Sequence, residues 1–421
     1  MLAGAEASVW TERMLSALVN GVKGGKWFSL MDKVFAPKTL ALAWTKVRAN
    51  KGAAGVDGQS IERFAAKAEV YLSELSAALR EGIYQPQAVK RVDIPKGDGR
   101  TRPLGIPTVK DRIVQQAVRL VIEPIFEAGF AEGSYGFRPG RGCHDALREV
   151  DRLIEEGFTH VVDADLASCF DTIPHDALVA RIEAKIIDGG VLDLIRGWLK
   201  ADILKGLERW TPTQGSPQGA VISPLLANIY LHPLDVHWEQ EVKATKMVRY
   251  ADDLVVLCRW RRAESYMPKL RAFLQRLRLT VNEDKTRVTT AQAGFDFLGV
   301  HFRKQPTRRD PTRSFCYAWP SRRSMQRIRD KVRAAIAHDD RPALAEKIAR
   351  LNPVLRGWGA YFRWLNVAKH FRKVDHYVWY RLRCWLRRKH QRTRRAFWST
   401  PLTLFERAGL HTLHGTVAHT C

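Results

Sequence analysis

Residues 246–258, KMVRYADDLVVLC, join two apolar runs through a pair of adjacent carboxylates, Asp252 and Asp253. Short runs rich in Val and Leu, broken by a brief polar step, signal a β-hairpin. The chain must therefore bury two strands while holding two like charges at their junction. Asp163 and Asp165 stand two apart in THVVDADL (159–166), a β-branched strand, so their side chains leave the same face. With strand and hairpin in one sheet, Asp165, Asp252 and Asp253 converge. Clustered carboxylates repel unless a cation sits among them. Mg²⁺ takes hard oxygen ligands and keeps positions open for phosphate, and two such ions promote in-line displacement at phosphorus. The chemistry suggested is nucleotidyl transfer, although a YxDD tetrapeptide taken alone reads as a solvated turn.

The rest of the chain supplies an α+β setting. Residues 8–50 read as helices, Val89 to Ile94 as a strand before the turn KGDGR, and 111–129, 143–157 and 175–203 as helices. A helix over 262–279 and strands over 286–291 and 295–303 follow, and the last 120 residues are mostly helical. Charge divides the chain. Residues 301–421 hold 28 Lys and Arg against 7 Asp and Glu, a net of +21, which leaves +4 for the first 300 residues. A basic third with six Trp points to a polyanion, and nucleic acid is the leading partner.

Other classes are excluded. The six Cys are scattered, with no CxxC pair and no His at zinc-ligand spacing, so neither a disulfide framework nor a structural zinc is expected. No run of 18 apolar residues occurs, and Met1–Trp27 lacks the layout of a signal peptide. The expectation is a cytoplasmic protein with reduced thiols and no membrane partner.

Eight blocks in order carry a more specific signal: KGAAGVDG (51–58), IPKGDGRTRPLGIPTVKDRIVQQAV (94–118), SYGFRPGRGCHDAL (134–147), VVDADLASCFDTIPH (161–175), TQGSPQGAVISPLLANIYL (213–231), VRYADDLVVL (248–257), LTVNEDKT (279–286) and FDFLGVHF (295–302). The series resembles the reverse transcriptase/maturase proteins encoded by bacterial group II introns, over about residues 40–365. The resemblance implies an α+β right-hand polymerase with an antiparallel palm sheet, followed by an α-helical thumb or maturase domain X. The boundaries it implies are a helical extension (1–40), fingers (41–157), palm (158–303), thumb/X (304–395) and a short tail (396–421).

Position by position, Asp165, Asp252 and Asp253 match the family's catalytic, metal-binding acids, with the backbone at Leu166 as a further ligand for two Mg²⁺ ions. Asp163 reads better as a hydrogen-bonded structural acid beside them. Lys96 and Arg102 match residues that meet the incoming triphosphate, where guanidinium grips phosphate bidentately. Gln218 of PQG lies against the nucleotide, and Phe170, five residues after Asp165, matches an aromatic that collides with a ribose 2′-OH. Phe297, Leu298 and Gly299 match the primer grip. LNPVLRGWGAYFRW (351–364) looks like domain X, and Arg381, Arg383, Arg387, Arg388, Lys389, Arg394 and Arg395 are the expected RNA contacts.

The implied partners are the parent intron RNA as template and ribonucleoprotein partner, a DNA target or primer, and dNTPs. The oligomeric state stays open, a homodimer included. With one Cys and three His after Pro401 and no ligand spacing, no HNH endonuclease is expected, which resembles short forms such as group IIC proteins. Two rivals are a domesticated or CRISPR-linked reverse transcriptase and a splicing-only maturase. The intact acids, Gln218, Lys96 and Arg102 argue against the second.

Overall fold

A computed structural model describes residues 4–95, 101–259, 263–307, 310–336, 342–390 and 401–418. Its strands in chain order are β1 (Val89–Pro95), β2 (Thr101–Ile106), β3 (His160–Asp165), β4 (Ile203–Lys205), β5 (Glu208–Trp210), β6 (Thr245–Tyr250), β7 (Asp253–Cys258), β8 (Arg287–Thr290), β9 (Phe295–Phe297), β10 (Val300–Pro306) and β11 (Ser314–Pro320). They form three sheets, ordered β2-β1-β4-β5, β6-β7-β3-β8 and β11-β10-β9. The acid-bearing hairpin β6–β7 and the Asp165 strand β3 are thus neighbours in one sheet, and the architecture is α+β.

The chain divides into two compact units that do not follow linear segments: Met1–Ala146, Ala164–Val256 and Glu264–Arg287 form one, and Leu147–Asp163, Leu257–Ala263 and Val288–Cys421 the other. In the first, the helix Val109–Glu127 is buried on nearly every face, with only Lys110 and Arg119 part-exposed. It nevertheless carries charge inward, so each buried charge has to be partnered. Asp111 accepts from the hydroxyls of Thr108 and Tyr84, Glu123 from Arg119, and Glu127 from buried Arg138 at 2.8 and 3.0 Å. Thr108 also caps the helix by accepting the Asp111 amide.

In the second unit, β10 and β11 pair antiparallel beside helices Arg322–Ala335, Leu344–Phe362 and Ala368–Lys389. The last described residues differ from the expected tail. Phe405 and Leu413 are fully buried, and Asp375 accepts the amides of Leu413 and His414 at 2.9 and 2.8 Å. Asn352 clasps the same segment by donating to the Gly409 carbonyl and accepting from the His411 amide, both at 2.8 Å. The segment's buried apolar residues, Phe405, Leu410 and Leu413, are too few and too scattered to register as a periodic pattern. No helix among the described residues is long and apolar enough to cross a membrane.

Candidate active site

The β6–β7 turn is held from beneath by Arg249, a strand residue with a side chain 1% exposed. All five of its N–H groups are used. Nε donates to Asp235 at 2.7 Å, and one terminal nitrogen donates to the other Asp235 oxygen and to Ser134 Oγ (2.8 Å). The second terminal nitrogen donates to Asn228 Oδ1 (3.1 Å) and to the carbonyl of Ala251 (2.9 Å). Asn228 and Asp235, seven apart, share one face of the helix Ser223–Gln240. Ala251, between Tyr250 and Asp252, has φ +58°, a conformation alanine rarely adopts, and the Arg249 bond to its carbonyl helps fix it there.

Asp252 and Asp253 follow directly, and the Leu166 amide donates to the Asp252 carbonyl at 3.4 Å. That bond ties the end of β3 to the hairpin and leaves Leu166's own carbonyl as the group it would lend to a cation. The Asp253 carboxyl is pushed up to about 7, first by burial, then by repulsion from Asp252 and Asp165, while Lys285 pulls the other way. Asp253 is nevertheless open to solvent at the strand end, so water screens part of that repulsion. Lys285 Nζ lies 2.6 Å from Asp165 Oδ2. Three carboxylates therefore share one ammonium, and the excess negative charge is what a divalent cation neutralises, so the donor set fits hard metal ions. Among the described residues, no group of three ligating side chains is preassembled around a metal position. Asp163 is half-buried and engaged within the protein.

Next to the acids, the loop bearing Pro217 and Gln218 is laid on the segment that follows Asp165. Ser216 N donates to the Phe170 carbonyl (2.7 Å) and Gly215 N to that of Ile173 (2.8 Å). Gly215 has φ +86°, and a Cβ there would sit 2.7 Å from the Asp171 carbonyl oxygen, so this close seating needs glycine. Phe170 is 8% exposed. Gln218 accepts from Arg102 Nε at 2.7 Å and donates to Asp171 Oδ2 at 2.9 Å, and its carbonyl accepts the Gly105 amide at 2.6 Å. Asp171 and Gln218 also line a cavity of about 450 Å³ with Arg91 and Trp210. Lys96 lies outside the described residues.

In the second unit, Phe297, Leu298 and Gly299 form the tight β9–β10 turn. Leu298 (φ +47°) and Gly299 (φ +79°) are both left-handed, the pairing a two-residue turn demands. A leucine in that region is strained, and the turn is held by Tyr361 Oη donating to the Leu298 carbonyl (2.9 Å) and by Ser324 Oγ and Ser321 N donating to that of Gly299 (2.7 and 3.0 Å).

The expected RNA contacts are unequal. Arg387 and Arg388 are exposed, and Arg381 and Arg383 half-buried. Lys389 is already engaged, donating to the Pro342 carbonyl and lying 5.2 Å from the Trp385 ring. Arg394 and Arg395 lie outside the described residues. Sequence reasoning missed a second basic face on the same helix. Lys369, Arg372, Lys373, His376, Tyr377 and Tyr380, with Arg329, line a cavity of about 970 Å³. Their i, i+3, i+4, i+7 spacing is the signal that would have found it.

Residues 94–302 match the family described as "Reverse transcriptase (RNA-dependent DNA polymerase)", and residues 325–400 that described as "Group II intron, maturase-specific domain". The chain is 36% identical over 311 residues to Protein YkfC of Escherichia coli (strain K12), covering 64% of this chain and 81% of that protein. It is 40% identical over 202 residues to Group II intron-encoded protein LtrA of Lactococcus lactis subsp. cremoris, covering 47% of this chain and 33% of LtrA. With the Putative COX1/OXI3 intron 1 protein of Saccharomyces cerevisiae it shares 30% identity over 330 residues, covering 65% of this chain and 39% of the other. The chain thus spans most of YkfC but a third of LtrA.

Proposed function

The chain belongs to the group II intron reverse transcriptase/maturase family, and from that premise we propose that Asp165, Asp252 and Asp253 are its polymerisation centre and that its basic helices bind the parent intron RNA, aiding splicing and insertion. The observation that carries the reading is the hairpin turn, where buried Arg249 presents two acids beside Asp165 with negative charge in excess. Two Mg²⁺ ions held by these acids and the Leu166 carbonyl would neutralise the charge developing on the triphosphate and activate the primer hydroxyl.

The chain's own residues bind and orient. Arg102 and Lys96 meet the triphosphate, and Gln218 lies against the nucleotide. The Phe170 ring closes the sugar edge, so a 2′-OH clashes while a deoxyribose fits. The rigid Phe297-Leu298-Gly299 turn grips the primer terminus, and the primer 3′-OH attacks the α-phosphate with pyrophosphate leaving. In this reading the first unit holds the acids and the nucleotide contacts, while Lys369, Arg372 and Lys373, with Arg387 and Arg388, read the shape and phosphates of folded RNA. The described cysteines are all free thiols, which suits a reducing cytoplasm.

Extension of a DNA primer annealed to RNA, with dNTPs and Mg²⁺, tests the assignment. Wild type should extend, and Asp252→Ala with Asp253→Ala should abolish extension while leaving folding and RNA binding intact. Retention within about tenfold of the wild-type rate would overturn it.

A further inference from the structure

Asp171 takes no part in the chemistry described above, yet a chain of hydrogen bonds joins it to a proposed triphosphate contact. Arg102 Nε donates to Gln218 Oε1 at 2.7 Å, and Gln218 Nε2 donates to Asp171 Oδ2 at 2.9 Å. A primary amide is nearly symmetric in shape and could sit either way round. Its neighbours remove the ambiguity: a guanidinium only donates and a carboxylate only accepts, so the Gln218 oxygen must face Arg102 and its nitrogen must face Asp171. Reversing the amide would set N–H against N–H at one end and oxygen against oxygen at the other.

The backbone makes this a fixed frame. Asp171 lies in a short helix, Cys169–Thr172, on which Gly215 and Ser216 are seated, and the Gly105 amide donates to the Gln218 carbonyl, tying β2 to the same loop. The Arg102 guanidinium is therefore anchored through its Nε edge, which leaves its two terminal nitrogens as the fork for phosphate oxygens.

We propose that Asp171 is a positioning residue that, by fixing the orientation of the Gln218 amide, aims the Arg102 guanidinium at the incoming triphosphate. The proposal rests on the reading of this site as a dNTP site. It differs from a purely structural role for Asp171 because the effect must pass through Gln218 and Arg102. An asparagine at 171 has both a donor and an acceptor and no charge, so the charged anchor is lost and the far end of the relay no longer dictates the amide's orientation, which Arg102 alone must then hold.

Single-nucleotide incorporation on an RNA template, with dNTP varied, tests this. Asp171→Asn should raise the dNTP KM by about tenfold, the cost of loosening a hydrogen bond to a charged group, with kcat nearly unchanged. Arg102→Gln should raise KM at least as much, and the double variant should be no worse than Arg102→Gln alone, since both break one relay. The sharper test is Gln218→Glu, which faces Asp171 with a second carboxylate and should raise KM strongly. Adding Asp171→Asn should then restore binding, because the asparagine amide donates to Glu at 218 while Arg102 donates to its other oxygen. Multiplied effects in the Asp171→Asn/Arg102→Gln pair, or no rescue of Gln218→Glu by Asp171→Asn, would overturn the proposal. Absence of any incorporation by the wild type would instead defeat the dNTP reading itself.

Discussion

Arg249 sits in β6 with its side chain 1% exposed, and its partner Asp235 is 2% exposed. Replacing Arg249 with Met keeps the volume and apolar stem but strands the Asp235 carboxylate without its cation, and Asn228, Ser134 and the Ala251 carbonyl are each left without a donor. Removing one partner of a buried ion pair costs about 3–5 kcal/mol. That is from about a fifth to all of the roughly 5–15 kcal/mol by which a typical domain is stable. Most of the cost comes from the stranded charge, so pairing Arg249→Met with Asp235→Leu should recover at least half of it. Urea unfolding, with the slope checked for constancy across the variants, measures both effects. The single variant should also slow primer extension, because the Ala251 turn that presents Asp252 and Asp253 is no longer anchored. A destabilisation below about 1 kcal/mol for Arg249→Met, or a double variant as unstable as the single, would refute the reasoning.

Three further outcomes follow from the same geometry. The folded Asp253 carboxyl sits at about 7 against an ordinary 3.8, so the metal-free folded state holds a proton that the unfolded chain has released. Its stability should therefore fall as pH rises from about 4 through 7 and level off above, by an amount reduced by solvent screening; thermal melts should show that slope flattened in Asp253→Asn and on adding Mg²⁺. Phe170→Ala should raise the kcat/KM for rNTP relative to matched dNTP, and unchanged discrimination would make Phe170 a core residue. Alanine at Lys369, Arg372 and Lys373 should lower the log-log salt slope of RNA binding by up to about 0.7–0.9 for each phosphate that the variant no longer neutralises, and an unchanged slope would place the RNA elsewhere.

The parts of this fold that can be read in advance are those whose constraints are local. The β6–β7 hairpin and β3 are marked by short apolar runs and by acids placed where apolar neighbours make no use of them. The features that sequence does not reveal depend on distant partners. Arg249 is one of two cations in β6, and nothing nearby says that Asn228, Asp235 and Ser134 complete it, since they come from a helix and a loop. Asp171 looks like any helix-start acid until Gln218, 47 residues on, is folded onto it. The basic face of the helix Ala368–Lys389 is overshadowed by the denser arginines after Leu382, because charge density along the chain says nothing of how charges gather around a helix. The anchoring of residues 401–418 needs Asp375 and Asn352, which are unremarkable in sequence.

The central claim is that one chain carries a polymerisation site and a separate RNA-binding surface. The most direct test measures primer extension and low-Mg²⁺ splicing of the cognate intron with a single preparation of Asp252→Ala protein, after its fold has been verified by its melting profile. The account predicts that extension is abolished while splicing stays close to wild type. Splicing abolished together with extension in a properly folded variant, or extension persisting within about tenfold of wild type, would contradict it.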